Sequence, residues 1–124
     1  MSKPIHKMLR VDARHERIAR NEAMYRAVNR ELEKASKEAA GGAPDDQLQI
    51  LCECGEPSCN TKLTLTTGEY DEAHRQLDRF IVAIEHEDPN IERVVMRRDS
   101  YLVVDKIGEA ERISLAEEQR RGTI

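Results

Sequence analysis

Three cysteines, Cys52, Cys54 and Cys59, fall within eight residues of a 124-residue chain that contains no others. Gly55 and Pro57 lie between them, where a loop that returns to a single ion needs a turn and a stiff segment. Thiolates spaced C-x-C-x4-C can share one metal ion, and zinc in structural sites takes four ligands in a tetrahedron. The cluster therefore predicts a zinc site for which one ligand is still missing.

The fourth ligand must come from elsewhere in the chain, and the candidates are a carboxylate or one of the four histidines. We favour His86, because it follows an apolar run that predicts a strand and precedes the turn at Asp88-Pro89. His74 falls within a predicted helix, where an ordinary surface role is more common. His6 and His15 belong to the N-terminal arm and the long helix, so they would need a long reach.

Other chemistries are open to the cysteine cluster. The simplest is a set of reduced cysteines that are buried without a metal. A redox pair would favour C-x-x-C at the start of a helix, and the neighbouring charges of Glu53 and Glu56 disfavour a reactive thiolate. An iron–sulfur cluster normally takes four cysteines, one more than the chain has. A structural zinc ion remains the preferred hypothesis.

The motif Cys52-Glu-Cys54-Gly55-Glu-Pro-Ser-Cys59 resembles the post-SET zinc knuckle of histone lysine methyltransferases. In that knuckle a fourth cysteine from the catalytic domain completes the site. The resemblance covers only the motif, and the rest of the chain is too short for a SET domain. It therefore implies zinc binding and not methyl transfer.

A larger part of the chain, residues 17–106, is similar to a group of small uncharacterised zinc-knuckle proteins of high-GC Gram-positive bacteria. Besides the knuckle, the similarity depends on three segments: Arg20-Asn21-Glu22-Ala23-Met24-Tyr25-Arg26-Ala27-Val28-Asn29, His86-Glu87-Asp88-Pro89 and Tyr101-Leu102-Val103-Val104. The resemblance implies that His86 is a ligand, and it implies no activity.

The composition of the chain limits the size of the core and the class of partner. Only 39% of the residues are apolar, 35% are charged, and there is one Phe and no Trp. A core this small gains from a metal staple. The net charge of −4 argues against binding nucleic acid through general phosphate attraction. Without an apolar run of membrane length or a signal-peptide pattern, and with clustered thiols, we expect a cytoplasmic protein.

The chain divides into four segments. Residues 1–40 form an arm and a long helix, since no Gly or Pro interrupts helix-forming residues from about Asp12 to Lys37. Residues 41–46, which begin Gly-Gly-Ala-Pro, form a linker. Residues 47–107 form a zinc-stapled α+β domain, and residues 108–124 form a flexible C-terminal tail.

Alternating apolar residues predict strands on both sides of the knuckle. They occur at Leu48 and Ile50 before it and at Leu63 and Leu65 after it. Thr66 and Glu69 form a capping box for a short helix that runs to about Leu77, a third strand covers residues 80–84, and residues 93–98 and 101–107 form a hairpin. The expected fold is α+β: a long N-terminal helix, then a small antiparallel or mixed sheet with one short helix and the knuckle.

Ile18, Tyr25, Val28 and Leu32 recur at helical spacing along the long helix. This narrow stripe can pack on the sheet, or it can bind a second helix, from a partner protein or another copy of the chain. Arginines at 10, 14, 17 and 20 could contact phosphates, but acidic residues interleave with them and no aromatic residue is available for base stacking. A solvated face is the better interpretation of these arginines.

Together these patterns predict a non-enzymatic zinc-binding module that acts in protein interaction or as a regulatory adaptor. Cys52, Cys54, Cys59 and His86 would hold the ion, and the stripe of the long helix would bind the partner. One alternative is a nucleic-acid-associated zinc protein that uses the Arg-rich start of the helix. Another is a zinc hydrolase with an open coordination position.

Overall fold

The computed structural model describes residues 13–76 and 78–120 and confirms the α+β fold. In chain order the elements are helix α1 (Ala13–Ala40), strands β1 (Gln47–Leu51) and β2 (Lys62–Thr66), helix α2 (Thr67–Ala73), strands β3 (Arg79–Ala83), β4 (Glu92–Arg97) and β5 (Tyr101–Lys106), and helix α3 (Gly108–Arg120). Among the described residues, no helix combines the length and the apolar character that crossing a bilayer requires.

The strands form two antiparallel sheets. β1 and β2 pair as a hairpin in which Leu48 lies opposite Leu65 and Ile50 opposite Leu63. These four residues are buried while the residues between them are exposed, as the alternating sequence predicts. The second sheet has the order β3-β5-β4, with a β-bulge in β4 between Val94 and Met96.

One core cluster joins the two sheets, and β3 and β5 contribute half of its buried residues. Phe80, Ile81 and Val82 are fully buried, in agreement with a strand that is covered on both faces. All six residues of β5 are buried as well. β3 ends at Ala83, one residue earlier than predicted, and Ile84 is exposed where the chain turns away from the sheet.

The predicted capping box is present at the start of α2. The Thr66 hydroxyl accepts from the Glu69 N–H at 3.1 Å, and the Glu69 carboxylate accepts from the Thr66 N–H at 2.8 Å. The helix ends at Ala73, with His74 as its C-cap, so it is shorter than the predicted helix to about Leu77. Leu77 itself lies outside the described residues.

The stripe predicted on α1 does not form one surface. Ile18 is buried, with 5% of its surface exposed, whereas Val28 and Leu32 are exposed and Tyr25 is half-buried. Val28 lies about 80° around the helix axis from Ile18, and the elements that pack on α1 cover Ile18 but do not extend over Val28 and Leu32. The buried face of α1 is largely polar instead, and it carries Glu22, Arg26, Asn29 and Glu33.

The prediction of a flexible tail was wrong for residues 108–120, which form helix α3 and pack against α1. Ser114 and Glu118 are fully buried in this contact. Glu118 pairs with Arg30 of α1 at 3.3 Å, and Glu117 pairs with Arg20 at 3.5 Å. Because polar residues form this contact, the segment has no apolar stripe that would predict a packed helix.

Candidate metal centre

The cysteine knuckle joins the two sheets. The Cys52 N–H donates to the Thr61 carbonyl at 2.9 Å, which extends the hairpin by one residue beyond β1. The Glu53 N–H then donates to the Ile81 carbonyl at 2.9 Å, so the chain turns from β2 onto the free edge of β3. Backbone hydrogen bonds to both sheets therefore fix where Cys52 and Cys54 lie.

Gly55 allows the knuckle to turn against α1. Its φ of 80° belongs to the left-handed region, which favours glycine. A Cβ at this position would lie 2.4 Å from the Ile18 carbonyl oxygen, which is backbone and cannot move aside easily. The Asn21 side chain donates to the Gly55 carbonyl at 3.0 Å and holds the turn in place. Asn21 of α1 therefore belongs to the knuckle.

His86 reaches the cysteines from the turn that follows β3. The backbone N–H of His86 donates to the Ala83 carbonyl at 3.0 Å, which closes the turn directly after the strand. Glu85 adopts a φ of 72°, the one positive φ among the described residues other than glycine. The Ala83 N–H donates to the Cys52 sulfur at 3.2 Å, so the end of β3 contacts the cluster twice.

The four predicted ligands converge. Their donor atoms all lie within 4.8 Å of one another, so Cys52, Cys54, Cys59 and His86 could hold one metal ion. The His86 Nδ1 lies 3.4 Å from the Cys52 sulfur and 3.5 Å from the Cys59 sulfur. One tetrahedral zinc ion would hold a nitrogen and a sulfur about 3.6 Å apart, given its usual bond lengths. The spacing therefore fits a shared ion.

The other histidine candidates are not at the cluster. The His74 Nε2 lies 3.0 Å from a carboxylate oxygen of Glu53 and is committed to that contact. His6 and the side chain of His15 lie outside the described residues. Of the candidates that the structure describes, only His86 places a nitrogen among the sulfurs.

Hydrogen bonding between Cys52 and Cys54 gives the two thiols different pKa values. It raises the pKa of the Cys52 thiol, which burial raises further, and it lowers the pKa of the Cys54 thiol to about 5. The Glu56 N–H, His86 and Cys59 also lower the pKa of Cys54. The lowered pKa favours the thiolate form of Cys54, which is the form that binds metal.

Behind the cluster lies a buried polar network that the sequence did not reveal. Asn29 of α1 accepts from the Leu51 N–H and donates to the Leu51 carbonyl, both at 2.8 Å, as a neighbouring strand would. It also donates to Glu53 at 2.8 Å, and Glu53 accepts from the Ile81 N–H at 2.9 Å. Burial alone would raise the pKa of Glu53, but His74, Asn29 and the Ile81 N–H outweigh it and lower the pKa.

The C-x-C spacing held a signal for this network. Successive residues of an extended chain point to opposite sides, so a residue between two ligands points away from the ion. Glu53 is such a residue, and it is fully buried. We interpreted it from the sequence as a nearby charge only, because its partners Asn29 and Ile81 are distant along the chain.

An open cleft of about 530 Å³ lies beside the cluster, between the knuckle loop and the turn that carries His86. Glu85, Glu87 and Asp88 line it together with Cys59 and His86. Cys52 and Cys54 are buried and Cys59 is half-buried, so solvent reaches the cluster from the cleft. The three carboxylates give this side of the cleft a negative charge.

Comparison of the chain with protein-family models, with curated proteins and with solved structures found no match. The resemblances to the post-SET knuckle and to the bacterial zinc-knuckle group therefore stay predictions.

Proposed function

We propose that Cys52, Cys54, Cys59 and His86 bind one zinc ion, that the ion is structural, and that the protein is a non-enzymatic interaction module. One observation carries the proposal: three sulfurs and one imidazole nitrogen lie within 4.8 Å of one another. Soft thiolates together with imidazole favour zinc over the hard cations that prefer oxygen ligands. Four protein donors complete the tetrahedron that zinc adopts in structural sites.

The location of the cluster supports a structural role. Cys52 extends the hairpin of β1 and β2, while His86 belongs to the turn after β3. An ion that holds both would fasten the two sheets where the backbone bonds between them are few. Gly55 also brings the knuckle against α1, so the ion would brace three elements at once.

A zinc hydrolase is less well supported. A catalytic zinc keeps one position for water or substrate and takes three protein ligands. Here a fourth protein donor, the His86 Nδ1, lies 3.4 Å and 3.5 Å from two of the sulfurs, where it would fill that position. The geometry therefore favours a role without catalysis.

Nucleic-acid binding through the start of α1 also has little support. Arg20 pairs with Glu16 at 2.7 Å and with Glu117 at 3.5 Å, which engages its charge within the protein. Arg10 lies outside the described residues, as does the side chain of Arg14. Protein interaction through the exposed face of α1 remains the better hypothesis.

Metal analysis of freshly purified protein tests the structural zinc. We expect one zinc per chain, and we expect Co²⁺ in its place to give the intense visible absorption of a tetrahedral thiolate site. Cys54→Ser and His86→Ala should reduce the zinc content and destabilise the fold. Ser58→Ala, which changes an exposed residue of the same loop, should retain the metal.

Three results would overturn the proposal in different ways. If purified protein binds less than about 0.2 zinc per chain from a zinc-buffered solution, there is no specific site. If zinc binds but His86→Ala retains it at full affinity and the Co²⁺ spectrum is five-coordinate, the ion has an open position and the hydrolase hypothesis gains. Unchanged thermal stability after chelation would exclude a structural role.

A further inference from the structure

Helix α1 exposes a line of large apolar side chains on the face opposite its polar contacts. Met24, Val28 and Leu32 are spaced four residues apart, and 39%, 41% and 40% of their surfaces are exposed. Successive members differ by about 40° around the helix, so the three form one continuous strip. We call Met24, Val28 and Leu32 the α1 strip. Of the five exposed large hydrophobics among the described residues, these three are the ones that lie together.

Charges are distributed unequally along the same face of α1. The exposed Arg17 lies towards the N-terminal end of the strip, and the exposed Glu31 and Glu38 lie towards its C-terminal end. A second helix that packed in parallel would place like charges opposite each other. In an antiparallel pair of α1 helices, Arg17 of one copy would lie near Glu38 of the other. Both residues are exposed and so are accessible to a partner.

We propose that the α1 strip binds a second copy of this chain, in an antiparallel pair of α1 helices whose two-fold axis passes near Val28. The second copy is then the partner of the interaction module proposed above. The inference rests on the proposed interaction role and not on the identity of the metal. In this register the residues of the two copies whose numbers sum to 56 face each other. Val28 faces its symmetry mate, and Met24 faces the partner's Leu32.

The register is self-complementary in shape as well as charge. Met24 and Leu32 are similar in volume, so exchanging them across the axis keeps the packing even on both sides of Val28. Tyr25, which is half-buried, lies about 20° around the helix from Leu32 and borders the strip on that side. The 28 residues of α1 span about 42 Å, which is long enough for several contact layers. The contact is narrow, so we expect a dimer in the micromolar range.

Sedimentation equilibrium of the full-length protein with zinc tests the proposal. We expect a monomer–dimer equilibrium over roughly 1 to 300 µM. Val28→Glu places two carboxylates at the axis, and it should weaken the dimer by about 100-fold. Ile107→Glu is the matched control, because Ile107 is similarly exposed and belongs to the link between β5 and α3, outside the α1 strip. It should leave the dimer unchanged.

A charge exchange distinguishes the antiparallel pair from a parallel one. Met24→Glu and Leu32→Lys should each weaken the dimer, while the double variant should recover it at low salt, because each Glu at 24 then faces the partner's Lys at 32. In a parallel pair the double variant would instead be weaker than either single one. That outcome, or a dimer that Val28→Glu leaves intact at unchanged zinc content, overturns the proposal.

A wild-type protein that stays monomeric to about 300 µM also overturns the dimer. Such a monomer with one zinc per chain would leave the structural zinc standing, whereas a dimer without zinc would refute the metal site alone. The two proposals therefore fail by different measurements. Circular dichroism of each variant confirms that a lost dimer is not a lost fold.

Discussion

The two faces of helix α1 reverse the usual amphipathic pattern. The face that packs on the sheets buries Glu22, Arg26, Asn29 and Glu33, while the opposite face exposes the α1 strip. An ordinary surface helix buries its apolar residues and exposes its charges. The difference shows that side chains of α1 are buried where another element offers them a contact, whatever their polarity. Each buried polar residue contacts a defined group, and the apolar strip lacks a covering element among the described residues.

The partners of the buried face come from distant parts of the chain. The ammonium group of Lys106 lies 2.5 Å from Glu22 and also contacts Glu92, and all three side chains are buried. Arg26 donates to the Gln76 carbonyl at 2.9 Å and lies over the Phe80 ring at 5.2 Å from its centre. Burial raises the pKa of Glu22 well above its ordinary value, although Lys106 opposes the shift.

Lys106→Met removes the cation between the carboxylates of Glu22 and Glu92. Of the changes to the buried face of α1, it should reduce the stability of the protein most. We expect a loss of about 4 kcal/mol in the free energy of unfolding, because Glu22 and Glu92 are left buried without a counter-charge. The loss should be smaller at pH 5 than at pH 8, since protonation relieves the repulsion. Urea denaturation at both pH values measures it.

Lys37→Met is the matched control for this change. Lys37 is exposed, although it pairs with Glu33 and Asp71 at 3.4 Å. Surface ion pairs contribute little, so the stability should change little. If Lys106→Met costs no more than Lys37→Met, the contact between α1 and β5 does not depend on the buried charges.

Gly55→Ala tests the contact between the knuckle and the buried face. The new Cβ would meet the Ile18 carbonyl oxygen at 2.4 Å in a backbone with φ of 80°. Strain in the left-handed region and the clash together should cost about 3 kcal/mol. Thermal unfolding of the zinc-loaded protein measures the loss.

Gly41→Ala separates the two contributions to that loss. Gly41 has a φ of 93°, and a Cβ there would have no atom within 4 Å. It should therefore cost only the backbone strain, about 1 kcal/mol. Equal losses at both glycines would show that the knuckle does not press on α1.

Local signals predicted most of the elements and the whole candidate site. The capping box at Thr66 and Glu69 joins residues three apart, and the knuckle spacing brings three sulfurs together within one turn. His86 was predictable because the strand before it and the turn after it are both visible in the sequence. In each case the residues that decide the structure are near one another along the chain.

Contacts between distant residues explain what the sequence did not show. Glu22 and Lys106 are 84 residues apart, and nothing in either segment marks the other as its partner. The same holds for Arg30 and Glu118, which join α1 to the helix that we predicted as a tail. A hydrophobic pattern finds a face only when the buried residues are apolar, and here they are charged.

Asn29→Ala should disrupt the polar network without adding charge. It removes the partners of the Leu51 N–H and carbonyl and one partner of Glu53. We expect a loss of about 2 kcal/mol, because alanine's higher helix propensity offsets part of the cost of the unpaired groups. Chemical denaturation measures it, with the exposed Asn90→Ala as control. A loss equal to that of Asn90→Ala would mean that water replaces the side chain fully.

Glu33→Gln should have the smallest effect, and one that depends on pH. Burial and the neighbouring Asp71 raise the pKa of Glu33 to about 7, against the opposing charge of Lys37. The folded protein therefore binds more protons than the unfolded chain between about pH 4.5 and 7, so wild-type stability falls as the pH rises through this window. Relative to wild type, Glu33→Gln should gain about 1 kcal/mol between pH 4.5 and 8. The same titration of Glu31→Gln, an exposed carboxyl on α1, should show no such gain, and a flat difference for Glu33→Gln would place its carboxyl in water.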